Sequence, residues 1–126
     1  MPPWSGATGI TAGMRAAGED FRNLFQAAHL DPLHAGKLER TGFSPTAEPG
    51  FRVQAARERV WRTITAVGGL ASPAGSVLWH VVGLEETVKR WAMAQEWRRR
   101  RLDEETASGI LIGALGMIEA LQDGRL

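Results

Sequence analysis

The chain has 126 residues, 44% of them hydrophobic and 23% charged, with a formal net charge of +1. This suits one globular domain with a real core, and it excludes wholesale disorder and a global field that would drive the protein onto nucleic acid. There is no Cys, which excludes disulfides and thiolate metal sites, and no Tyr, but there are five Trp.

Met1-Pro2-Pro3-Trp4 has neither the basic start nor the apolar run of a secretory signal, so the expectation is a cytoplasmic protein with no membrane segment. Residues Met1 to Gly13 are rich in Gly, Pro, Ser and Thr and read as a flexible N-terminal arm. Trp4 docks on the core, the plainer reading, or anchors a partner. The remainder, 14–126, reads as a single helical domain. Met14 to Leu30 is an amphipathic helix, with Met14, Ala17, Phe21, Leu24, Phe25 and Ala28 at three- and four-residue steps. Asp31-Pro32 then reads as an N-cap and first helical position of a short helix, Pro32 to Leu38. Glu39 to Gly50 has two Pro, two Gly and no period, and reads as a surface loop.

Phe51 to Val67 carries one stripe of Val53, Ala56, Val60, Trp61, Ile64 and Val67, surrounded by Arg52, Arg57, Glu58, Arg59 and Arg62. Gly68-Gly69 stops that helix, Leu70 to Gly75 reads as a turn, and Ser76 as the next N-cap. Val77-Leu78-Trp79-His80-Val81-Val82 is too apolar for a surface and too short to span a membrane, so it reads as the central buried helix, broken at Gly83. Leu84 to about Trp97 reads as the next helix, with Glu85 and Glu86 at its positive end. After Arg98–Arg101, Asp103 caps the last helix, Glu104 and Glu105 load its first turn, and Leu102 and Ala107 are placed for a hydrophobic staple. That helix is apolar nearly all round from Ala107 to Ile118. Gly109, Gly113 and Gly116 lie near one face, which predicts close packing against another backbone in the core. The expected fold is all-α, a compact bundle of about five helices with a trihelical, helix-turn-helix-like C-terminal core.

No nucleophile elbow, phosphate-cradling glycine loop or framed acid pair is visible, so an enzyme is not expected and no catalytic residue or cofactor is assigned. His29 and His34 lack the spacing of a zinc pair on one helix face, and nothing completes a metal site. His80, inside the apolar block, reads as a satisfied core residue. The best functional signal is basic. Lys89, Arg90, Arg98, Arg99, Arg100 and Arg101 gather in one short region with Trp91 and Trp97, and Arg57, Arg59 and Arg62 add a second basic face. Arginine offers forked donors to phosphate or carboxylate, and Trp anchors interfaces. The plain alternatives are a solvated charged face and Trp side chains that fill the core beneath it. The three C-terminal helices have a helix-turn-helix order. However, the second turn is too long, and an Asp103-Glu104-Glu105 start is the wrong charge for a recognition helix.

Three blocks, AGEDFRNLFQAAHLDPLHAGKLER (Ala17–Arg40), SPAGSVLWHVVGLEETVKRWA (Ser72–Ala92) and ETASGILIGALGMIEAL (Glu105–Leu121), resemble the helical domain of alphaproteobacterial phage-like regulators. That group includes the C-terminal part of activators of gene transfer agent clusters. The likeness spans most of the chain and rests on block order and on phrases such as LDPL and LWHVVG. It implies a transcription regulator with RNA polymerase as its partner, in the manner of phage Q-type antiterminators. DNA or nascent RNA and a separate DNA-binding activator are further partners it leaves open. The family's DNA-reading module is a separate domain or protein, and Met1–Gly13 is too short to supply one. Direct sequence-specific DNA binding and a structural or adaptor role in a phage-like particle are the rival readings.

Overall fold

The computed structural model describes residues 4–6, 8–30, 50–97 and 100–124, with backbone only at 96–97 and 100–101. The expected helix at Pro32–Leu38 and most of the loop up to Gly50 lie outside the described residues.

Helix α1 spans Ala12–Ala27, and the Thr11 hydroxyl caps it by accepting the Met14 N–H at 3.1 Å. Its inner face buries Ala17, Phe21 and Phe25, and Ala28 just beyond it is also buried. The helix is stopped by His29, which stands in the left-handed region at φ 56. The His29 N–H reaches Gln26 O at 3.0 Å and the Leu30 N–H reaches Phe25 O at 3.3 Å. Both bonds satisfy carbonyls left open by the helix end. His29, weighed from the sequence as a possible metal ligand, thus does the work usually given to glycine.

Helix α2 spans Phe51–Ala66 and buries Ala56, Val60 and Ile64. It ends through Gly68 at φ 117, and the Gly69 N–H returns to Ile64 O at 2.8 Å. Helix α3, Pro73–Val77, then begins earlier than the Ser76 cap expected from the sequence. Ser72 is the N-cap, accepting the Gly75 N–H at 3.1 Å, and Pro73 is the first helical residue. Proline fits there because that N–H would have no partner anyway. A Cβ on Gly75 would strike the backbone carbonyl of Gly69, so the tight entry to α3 requires glycine.

Helix α3 runs directly into a π-helical segment, Leu78–Gly83, the central apolar block. Leu78, Val81, Val82 and Gly83 are buried, each large side chain contributing about 1.5–3 kcal/mol. Gly83 leaves the space that the Phe25 ring fills, its Cδ2 lying 2.8 Å from where a Cβ would stand.

The next helix is shorter than Leu84–Trp97. Leu84–Thr87 is a connector in which Glu85 has φ 59, and α4 spans only Val88–Ala94 behind a Thr87 cap. Glu85 does not load a helix start. Its carboxylate takes the Arg22 Nε–H of α1 at 3.1 Å, and the same guanidinium donates to Gly83 O. After Ala94 the backbone extends. Strand β1 (Glu96–Trp97) pairs antiparallel with β2 (Arg100–Arg101), Glu96 opposite Arg101 and Trp97 opposite Arg100.

Helix α5 spans Glu104–Gln122, and Asp103 Oδ1 accepts the Thr106 N–H at 2.6 Å. It packs on α1, α3 and α4, while α1 also meets α2 and the π segment. The fold is all-α, and among the described residues it comprises five α-helices and one π segment, with a minimal strand pair between α4 and α5. The C-terminal trihelical core is present, but the strand pair replaces the tight turn of a helix-turn-helix. No helix among the described residues is long and apolar enough to cross a membrane.

The segment read as a flexible arm is docked at Trp4 and Ser5, each 1% exposed. The end of the Trp4 ring fills the space over Gly18 that any larger residue would occupy, and Arg15 Nη2 donates to Ser5 O at 3.4 Å. Gly18, which weakens α1 as a helix former, is therefore the socket for Trp4.

Candidate interaction surface

Lys89 and Arg90 are exposed on α4 immediately after its cap, while Trp91 and Ala92 turn inward. Trp91, expected as an interface anchor, is corrected to a core residue. It is 1% exposed, and its Nε1–H donates to Ser76 Oγ at 3.0 Å. The inward side of this seven-residue helix is taken by Trp91 and Ala92, and the two cations share the outward side with exposed Met93. Trp97, expected on the same helix, sits on β1 instead, and Arg100 and Arg101 form β2, which packs against α4. Arg98 and Arg99 lie outside the described residues. The structure thus brings the backbone of Arg100 and Arg101 beside the helix that carries Lys89 and Arg90.

Lys89 also lines a groove of about 760 Å³ between the starts of α4 and α5, walled by Trp4, Thr87, Glu104, Glu105, Ser108 and Ile112. Gly109 is part of this groove, and Cβ atoms built on Gly109 or Gly113 meet nothing within 4 Å. The close backbone packing expected at these two glycines is therefore absent. Only Gly116 approaches a neighbour, Met14 Cε at 3.4 Å. The Trp4 indole nitrogen is buried without a hydrogen-bond partner. At the groove's acidic end, the Thr106 backbone N–H holds the Asp103 carboxyl below its ordinary range.

The second basic face expected on α2 carries exposed aromatic rings that were not expected. Trp61, expected in the buried stripe of α2, is 44% exposed. Its ring lies against Trp79 with centroids 5.1 Å apart, and Trp79 meets Phe25 edge-on at 4.9 Å. Phe51, at the start of α2, is 88% exposed. Arg52, Arg59 and Arg62 are exposed, whereas Arg57 turns back to donate from Nε to Ala28 O at 2.8 Å. The signal that could have found the rings is that Phe51 lies outside the apolar stripe and that both it and Trp61 are next to arginines in FRVQAARERVWR.

His80 is not a core residue. Its side chain is 39% exposed, with Nδ1 3.8 Å from Glu86 Oε2. Among the described residues no three His, Asp or Glu side chains cluster as a metal site would require. A scan against protein-family models and searches of curated proteins and of solved structures return no match to this chain.

Proposed function

We propose that this protein is a small helical transcription regulator that acts with RNA polymerase to activate or antiterminate phage-like genes of the gene transfer agent type. The observation that carries this reading is the basic stretch between α4 and α5. Exposed Lys89 and Arg90 are followed in sequence by the run Arg98–Arg101, of which Arg100 and Arg101 form β2, paired with β1 and packed on α4. A basic stretch of this kind suits an acidic protein surface or phosphate, because each guanidinium is a rigid fork of donors. The resemblance of the three sequence blocks points the same way.

Reading DNA through α5 is disfavoured. That helix buries Ala107, Leu111, Ala114, Leu115 and Ile118 and opens with acidic residues.

The test is size-exclusion chromatography of the purified protein with RNA polymerase at moderate salt and without DNA. Co-elution is expected, together with its loss when Arg98–Arg101 are all changed to Gln while helical circular dichroism is retained. No co-elution by the native protein would sink the reading and raise direct DNA binding or a particle role in its place.

A further inference from the structure

We infer that the outer face of α2 is a binding surface for single-stranded nucleic acid. On this face bases would stack on Trp61 and Phe51, and phosphates would follow the exposed arginines beside them.

Helix α2 carries four arginines against one glutamate, the largest excess of cations on any described helix. Three of the arginines, Arg52, Arg59 and Arg62, are exposed. The two aromatic rings on the same helix are left open to solvent, at 88% for Phe51 and 44% for Trp61. At 3.6 residues per turn the two lie within a quarter-turn of each other around the axis and about 15 Å apart along it. Arg62 falls on the same side as the rings, Arg52 sits further round, and Arg59 stands at the edge toward α1, where Asp20 lines the same cleft. Exposed aromatic faces set among exposed arginines are the two parts that non-specific single-strand binding needs: a π-surface for stacking and cations for the backbone.

The Trp61 ring is also held in place before any ligand arrives. Trp61 rests on Trp79, Trp79 is braced by Phe25, and Phe25 is fully buried. Little side-chain freedom is then left to lose on stacking. Charge selects a polyanion over an apolar peptide as occupant. Glu58 is the one acidic side chain of α2 and is exposed among these residues, while Glu86 nearby faces His80. A duplex hides its base faces in the stack, so the open rings favour single strands. This inference goes beyond the polymerase contact and does not need it: binding is measured with no polymerase present, and co-elution with no nucleic acid.

The experiment is fluorescence anisotropy of labelled oligouridine, oligothymidine and a mixed-sequence duplex against the full chain across a salt series. Single strands should bind more tightly than duplex, and the two single-strand arms tell RNA from DNA. Trp61→Ala should weaken binding by roughly fivefold to 150-fold, the range expected for one lost stacking contact, and Trp61→Phe by much less. Phe51→Ala, at a site too exposed to disturb folding, should weaken it in the same direction. Changing Arg52, Arg59 and Arg62 together to Gln should lower the slope of log affinity on log salt by about 2. The inference is overturned by no binding at low salt, by tighter binding of duplex, or by affinity that survives the Phe51 and arginine changes.

Discussion

Helices α5 and α2 each present to solvent what their sequences would place elsewhere. Between Ala107 and Ile118, α5 has no charge at all, yet it has an outward side, because Gly109 and Gly113 are exposed with open space above them. Helix α2 is laced with Arg52, Arg57, Glu58, Arg59 and Arg62, yet the largest apolar groups on the described surface include its Phe51 and Trp61. The difference teaches how to read an uncharged helix. A glycine facing water exposes no side chain and leaves no apolar area to hide, so absence of charge does not demand burial on every side. An exposed large ring does leave such area, and it is the more informative observation.

The sharpest way to break that contrast is to compare two tryptophans. Trp91→Ala removes a fully buried ring and a hydrogen bond to Ser76, and should lower unfolding free energy by about 3–5 kcal/mol. Trp61→Ala, at a half-open site, should lose under about 2 kcal/mol. Urea titrations of the two variants measure both, and equal losses would mean that α2 buries Trp61 in solution.

Glycines sharpen the same contrast. Gly75→Ala sets a methyl against the Gly69 carbonyl and should destabilise by about 1–3 kcal/mol. By contrast, Gly109→Ala and Gly113→Ala meet nothing and remove backbone freedom from the unfolded chain. Each should stabilise by about 0.5–1 kcal/mol, read as a higher melting temperature. A drop in melting temperature would show that this side of α5 is covered.

The smallest effect concerns the α5 cap. The Asp103 carboxyl is depressed because its charged form accepts the Thr106 N–H. A depressed carboxyl stabilises the fold above its unfolded value and loses that contribution as pH falls through the folded one. Native protein should therefore lose slightly more stability on acidification below the ordinary aspartate range than Asp103→Ala does. Parallel pH profiles of the two proteins would contradict the assignment.

Much of this was legible in the chain and some was not, for identifiable reasons. The stop at Gly68-Gly69, the break at Gly83 and the Asp103 cap were readable because each depends on a few adjacent residues. His29 as a helix stop was missed because a left-handed histidine is uncommon and carries no composition signal. The Ser72 cap was passed over for Ser76 because both precede an apolar run, and only the partner of each hydroxyl separates them. Ser72 takes the Gly75 N–H, and Ser76 takes the Trp91 indole. In the candidate surface, the cations Lys89 and Arg90 were legible from charge. The role of Trp91 was not, since a tryptophan among arginines is equally consistent with an anchor and with the core beneath it.

By itself the sequence determined that this is an all-helical domain, where three of the five described α-helices lie, and that a run of cations precedes the last helix. Hydrophobic period, caps and glycine stops act over one or two turns, so they can be read without knowing what lies opposite. Only the tertiary structure decided which tryptophans are inside, that Trp4 fills the notch over Gly18, that the helix after Gly83 is short, and that α2 keeps two aromatic rings open among its arginines. Each of these depends on groups far apart in the chain, such as Arg22 with Glu85 or Phe25 with Trp79. Burial is set by what the rest of the fold places against a residue, and no local pattern carries that.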